Sequence, residues 1–173
     1  MTLEQLLAAI PEYAQDLRVN LSTLLRQTEL NEQQLWGTVV ASAAASRNGD
    51  LLAAVESEAA GHLSPEALNA AKGAAAIMSM NNVYYRFLHM VENEKYRTIP
   101  ARLRMNIMRR HGVAEADFEL WALAVSAINN CPACVDGHEQ DVRKKGLTEE
   151  AVLAAVRLAA VIYALATVLD SVG

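Results

Sequence analysis

The chain has 173 residues, enough for one domain with a substantial core; 53% are hydrophobic and 20% charged, which excludes a disordered protein. The formal net charge is −5 with no block of like charges, which argues against a nucleic-acid groove or an anionic membrane surface as the main partner. Alanine supplies 31 residues while aromatics make up only 5%, and there are only 4 Pro and 8 Gly. Alanine is the best helix former and a poor strand former, so the predicted fold is all-α.

Thr2 starts a short helix that stops before Pro11, and a second follows from about Pro11 to Gln27. Asn31 caps a third, running to about Ser46, and Asp50 opens a short one ending at Gly61. Ser64-Pro65-Glu66 reads as a cap followed by Pro at the first helical position, opening a long apolar helix to about Met80. Asn81-Asn82 predicts a break before a further helical stretch through Tyr84 and His89. The segment from Arg97 to Gly112 is more polar and mixes loop with short helix; Arg97, Arg102 and Arg104 read as a solvated face. Helical pattern resumes from about Glu115 to Ile128 and again from Cys131 to Lys145, where Gly146 is a good C-cap. Thr148-Glu149-Glu150 starts the last helix, whose stretch from Ala151 to Leu169 is apolar enough to raise a membrane span. It is built on Ala and carries Arg157 near its middle, so a buried core helix is the reading adopted. The N-terminus lacks the basic start and long apolar core of a signal peptide, and a cytoplasmic protein is expected.

An internal repeat organises the chain as one domain, 1–173, with units at about 31–90 and 115–173. Sliding the sequence by 85 places Leu35-Trp36 on Leu120-Trp121 and Gly61 on Gly146. After one extra residue, Leu63-Ser64-Pro65-Glu66-Ala67 falls on Leu147-Thr148-Glu149-Glu150-Ala151. The matched Trp36 and Trp121 suggest packing rather than a ligand box. Four reactive residues break the match: Glu119, Cys131, Cys134 and His138 face Gln34, Ser46, Gly49 and Ala53. The first unit therefore reads as scaffold and the second as the working half.

Pro132 at a helix start makes Cys131 the N-cap and Cys134 the third helical residue. Both sulfurs then lie by unpaired backbone N–H groups and the positive end of the helix dipole, an environment that favours thiolate. The i, i+3 spacing lets them form a disulfide, and reversible redox cycling follows. His138, four residues beyond Cys134, shares its helix face and is suited to move protons near neutral pH. Along one straight helix Glu119 would sit ~18 Å from Cys131. If the chain reverses near Asn129-Asn130, the height mismatch falls to ~4–5 Å for His138 but stays roughly 10 Å for Cys134. Glutamate acting through histidine is therefore favoured over glutamate touching sulfur.

Other readings stay open on the residues alone. Cys131, Cys134 and His138 could bind zinc, with Glu119 or water as fourth ligand, in an interaction module. Haem attachment needs His directly after the second Cys, where Val135 stands. A thioredoxin fold needs strands. The polar and aromatic Asn81-Asn82-Val83-Tyr84-Tyr85-Arg86 could line a site or a subunit contact, although a structural turn is the plainer reading.

The pattern Glu119-x11-Cys131-x2-Cys134-x3-His138 closely resembles that of the alkyl hydroperoxide reductase AhpD family, within the carboxymuconolactone decarboxylase-like superfamily. Further matching segments are Pro11-Glu12-Tyr13-Ala14, Leu35-Trp36-Gly37-Thr38, Ala74 to Val83, Leu103-Arg104-Met105-Asn106-Ile107 and Phe118-Glu119-Leu120-Trp121. The resemblance implies an AhpD-like all-α homotrimer that reduces the oxidised peroxiredoxin AhpC. Its electrons would come from dihydrolipoamide, the lipoyl group of a dihydrolipoamide acyltransferase served by dihydrolipoamide dehydrogenase, with no tightly bound cofactor or metal. Weak peroxidase activity on organic hydroperoxides is also implied. By the same carry-over, Cys134 is the peroxide-reactive thiol and Cys131 its resolving partner, while Glu119 and His138 form the proton relay. Some members place a His immediately before the second Cys; Ala133 stands there, so no auxiliary base is assigned. On the residues alone the two sulfurs remain unranked, because dipole and exposure could favour Cys131. A decarboxylase-like member of the superfamily acting on a lactone acid is the rival enzyme, and it has no evident need of a CxxC pair.

Overall fold

A computed structural model describes residues 1–172; Gly173, the last residue of the second predicted unit, lies outside the described residues. Among these the chain forms nine α-helices, joined by turns and two short 3-10 segments, without a strand. The all-α expectation holds.

Helix α1 (Leu3–Ala8) is closed by a reciprocal box in which Thr2 and Gln5 each bond the other's backbone N–H. The stretch expected as one helix from Pro11 to Gln27 is instead a 3-10 turn, Glu12–Ala14, followed by α2 (Gln15–Leu24). Pro11 is extended and Ala14 leaves helical geometry at φ −116°, so the two pieces do not merge. Asn31 and Gln34 box the start of α3 (Glu32–Ser46). Helix α4 (Gly49–Ala59) is capped by Asn48, not Asp50: the side-chain Oδ1 of Asn48 accepts from Leu51 N–H at 2.8 Å. Asp50 sits in the first turn, where its charge complements the dipole.

Helix α5 (Pro65–Met90) runs unbroken for 26 residues, straight through the break expected at Asn81-Asn82. Asparagine disfavours helix interiors because its side chain competes for local backbone groups. Here the Asn82 side chain is committed elsewhere. It donates to Ser126 Oγ at 2.9 Å and accepts from Asn129 Nδ2 at 3.0 Å. These long-range bonds remove the local competitor and the helix continues. A short helix, α6 (Lys95–Thr98), a 3-10 turn, α7 (Glu115–Ile128), α8 (Pro132–Lys144) and α9 (Glu149–Val172) complete the chain.

Helices α3 and α7 lie side by side at the centre, each packed against α5 and α9. Both are buried almost all round, α3 from Leu35 to Ala43 and α7 from Leu120 to Ser126, as expected of interior helices. Small residues let the two backbones close up. Trp121, fully buried, lies on Gly37 so tightly that a methyl group there would come within 2.1 Å of the indole ring. Its Nε1–H donates to Gln34 O at 3.3 Å. Trp36 is buried too, stacked on His62 at 4.4 Å, so both matched tryptophans serve packing.

Helix α9 is long and apolar enough to cross a membrane by length and composition. One face, including Ala154, Leu158, Ile162 and Leu165, is buried against α2, α3 and α7, which is how a core helix behaves.

Candidate active site

The corner between α7 and α8 places the cysteines. Asn130 N–H bonds Ala127 O at 3.2 Å and Cys131 N–H bonds Ser126 O at 3.1 Å, with Asn130 left-handed at φ 53°. This is a Schellman stop, with asparagine in the position that glycine usually takes. One residue on, Cys131 is already the N-cap of α8, and its carbonyl accepts from Val135 N–H at 3.0 Å. Cys131 thus belongs to the end of one helix and the start of the next, with Pro132 at the first helical position as expected.

Helix α5 clamps this corner from outside. Asn82 holds Asn129 and Ser126, and Arg86 Nη1 donates to Asn129 O at 2.6 Å. The corner's polar groups are thereby tied to one neighbouring helix, which fixes where α8 begins.

Cys131 and Cys134 are joined in a disulfide with their Cα atoms 5.3 Å apart. Their surroundings differ. Cys131 is fully buried. Cys134 is half-buried and opens onto a cavity of about 460 Å³, whose wall also includes His138, Met78, Asn81, Tyr85 and Met108. Exposure therefore separates two sulfurs that spacing alone left unranked, and it favours Cys134.

His138 and Glu119 come together as the corner geometry predicted: Nδ1 of the imidazole lies 2.6 Å from Glu119 Oε2. Their side chains are only 13% and 12% exposed, so the contact is shielded from competing water. On its other side His138 Nε2 meets the Met78 sulfur at 3.2 Å. The ring is thereby oriented from two sides, by α7 and by α5.

Among the described residues no three His, Cys, Asp or Glu side chains are grouped to hold a metal ion. His62 is engaged with Glu32 at 2.7 Å and His111 is stacked on Phe118 at 4.3 Å, and neither lines the cavity with Cys134.

Met78 carries no signal of a site residue in the sequence, and Asn81 belongs to the segment that could line a site. Arg97, expected on a solvated face, is exposed and also donates to Leu88 O at 3.1 Å, at the cavity wall. Their order in the chain carried no signal, because the helices that bring them to Cys134 are distant in sequence.

Comparison with known proteins bears on the whole arrangement. The chain is 60% identical over 172 residues to alkyl hydroperoxide reductase AhpD of Acidobacterium capsulatum, covering 99% of this chain and 94% of that one. The AhpD of Koribacter versatilis is 59% identical, covering 99% of this chain and 89% of its own. The chain belongs to the AhpD family. The AhpD of Solibacter usitatus, 58% identical over 170 residues, matches as fully, at 98% and 96% of the two chains. The model of the carboxymuconolactone decarboxylase family matches residues 95–173 only. That half carries Glu119, Cys131, Cys134 and His138, whereas Met78 and Asn81 lie outside it, in the stretch that the AhpD relatives also cover.

Proposed function

We propose that the protein is a cytoplasmic thiol–disulfide oxidoreductase of a peroxide-defence system. It reduces the oxidised peroxiredoxin AhpC with electrons from the dihydrolipoamide of a lipoylated acyltransferase, itself recharged by dihydrolipoamide dehydrogenase, and slowly reduces organic hydroperoxides itself. The observation that carries this reading is the Cys131–Cys134 disulfide at the start of α8, opening through Cys134 onto the cavity that also holds His138. The family membership points the same way.

The exchange runs through Cys134. A dihydrolipoamide thiolate attacks its Sγ, forming a mixed disulfide and releasing Cys131 as thiolate, which the helix N-terminus stabilises. The second lipoyl thiol attacks the sulfur of the first, closing lipoamide and freeing Cys134. The dithiol so formed passes its two electrons to the AhpC disulfide by the same steps in reverse order. His138, oriented by Glu119, takes and returns the protons these steps shed and need. No tightly bound cofactor takes part. The working residues belong to the unit 115–173, and the unit 31–90 adds one wall through Met78 and Asn81. The active assembly in this reading is a homotrimer.

A decarboxylase needs no redox pair and is disfavoured by the joined sulfurs. Mixing the protein with dihydrolipoamide and oxidised peroxiredoxin, then counting thiols, tests the reading. Two new peroxiredoxin thiols per dihydrolipoamide oxidised are expected. No transfer, or equal transfer by Cys134→Ser, overturns it.

A further inference from the structure

Asn81 and Asn82 are neighbours on α5 with opposite bonding. Asn82 is bonded at both ends of its carboxamide. Asn81 is 6% exposed, and its Oδ1 is buried with no hydrogen-bond partner in the protein. An unpaired buried amide oxygen costs about 1–3 kcal/mol, a cost relieved when water or a ligand supplies the missing partner. Asn81 lines the cavity that holds Cys134 and His138, whose remaining walls include Met78, Leu88, Met105 and Met108. A mostly apolar cavity with one uncommitted carboxamide beside a reactive sulfur has the build of a site for an apolar molecule with one small polar head.

We propose that the Asn81 carboxamide binds the –O–O–H group of an alkyl hydroperoxide and holds it against Cys134, with the alkyl chain along the methionine and leucine wall. This rests on the reading of Cys134 as the peroxide-reactive thiol. Rotation about the last side-chain bond lets the carboxamide accept from the hydroperoxide O–H or donate to the oxygen next to carbon. The Cys134 thiolate attacks the terminal oxygen, so the S–O bond forms as O–O breaks. The electron pair leaves on the alkoxide, which takes a proton from His138. Sulfur is oxidised to sulfenic acid and the hydroperoxide is reduced to an alcohol. The Cys131 thiol then closes the disulfide and the sulfenic oxygen leaves as water. Exchange with dihydrolipoamide is between sulfurs and puts no oxygen at the reacting atoms for the carboxamide to bind.

The test compares two reactions of one variant. Asn81→Leu keeps the volume and removes the polar end, and Asn81→Ser serves if the leucine variant does not fold. Reduced protein is mixed with cumene hydroperoxide and thiol loss is followed; separately, the disulfide form is mixed with dihydrolipoamide. The hydroperoxide rate constant is expected to fall about tenfold or more, the effect of one lost hydrogen bond at the reacting group. The hydroperoxide reaction loses about tenfold more than the dihydrolipoamide reaction does, and the thermal midpoint of Asn81→Leu is unchanged or raised. An unchanged hydroperoxide rate, or equal losses in both reactions, overturns the proposal. A wild-type protein inert to cumene hydroperoxide overturns it too. Failure of the dihydrolipoamide reaction in the wild type instead strikes at the proposed function, so the two failures are told apart.

Discussion

His138 is held between a carboxylate and a thioether, with Glu119 Oε2 at 2.6 Å from Nδ1 and the Met78 sulfur at 3.2 Å from Nε2. Residues from α7 and α5 therefore orient a ring carried by α8. As the proposed proton relay, the two side chains would act as one unit. Glu119→Gln and His138→Gln are each expected to slow electron transfer to peroxiredoxin by about 10²-fold, within the range for lost general acid–base catalysis. The double variant should be scarcely slower than either single one. Additive losses in a double-mutant cycle would show that the two side chains work separately.

The burial difference between the sulfurs makes a second expectation. In the reduced protein a small alkylating agent should modify Cys134 well before Cys131, as mass spectrometry of digested protein would reveal. Cys131→Ser should accumulate a mixed disulfide with oxidised peroxiredoxin, because the Cys134 thiolate opens the peroxiredoxin disulfide and no Cys131 thiol is there to resolve the adduct. If Cys134→Ser traps that adduct as readily, attack begins at the buried sulfur and the assignment is reversed.

The contact of Gly37 with Trp121 makes a third. A methyl group placed 2.1 Å from the indole cannot be accommodated without moving α3 or α7. Gly37→Ala is expected to cost about 2 kcal/mol or more, at or above the middle of the overpacking range. Denaturant midpoints measure it, and a loss below about 0.5 kcal/mol would mean that the helices part easily.

Acid stability should depend on Glu150. Its own backbone N–H, and after it the Thr148 hydroxyl, hold its carboxyl below the ordinary value of 4.5. A carboxyl lowered in the folded state adds stability above its unfolded value, and that addition fades as pH falls through 4.5 and below. Glu150→Gln should flatten this acid limb slightly while leaving the midpoint's pH dependence above about 6 alone. Thermal melts from about pH 3 to about pH 7 would record the difference, and an unchanged acid limb would refute it.

Local chemistry made most of the helices legible. Thr2, Asn31, Ser64 and Pro132 each announced a helix start that the structure keeps, because a cap is decided by three or four adjacent residues. Glu119 and His138 were also within reach, since a reversal at Asn129-Asn130 sets their heights by counting residues. Asn81-Asn82 failed for the opposite reason. The asparagine's local preference is overridden by a pair of bonds to Ser126 and Asn129, residues brought close only by the folded core. Met78 was illegible as a site residue on the same ground, and Asn81 was legible only within a segment that could line a site: an unpaired carboxamide is a property of surroundings.

The shared position of Cys131, last member of one helix stop and first of the next start, has a consequence for the family's history. Each residue added to a helix rotates the rest of the chain by about 100°. One insertion or deletion at Asn129-Asn130 would swing Cys134 and His138 away from the cavity while leaving every side chain intact. The length of this corner is thus under as much restraint as the identity of the cysteines, and gaps in related sequences should fall almost anywhere else.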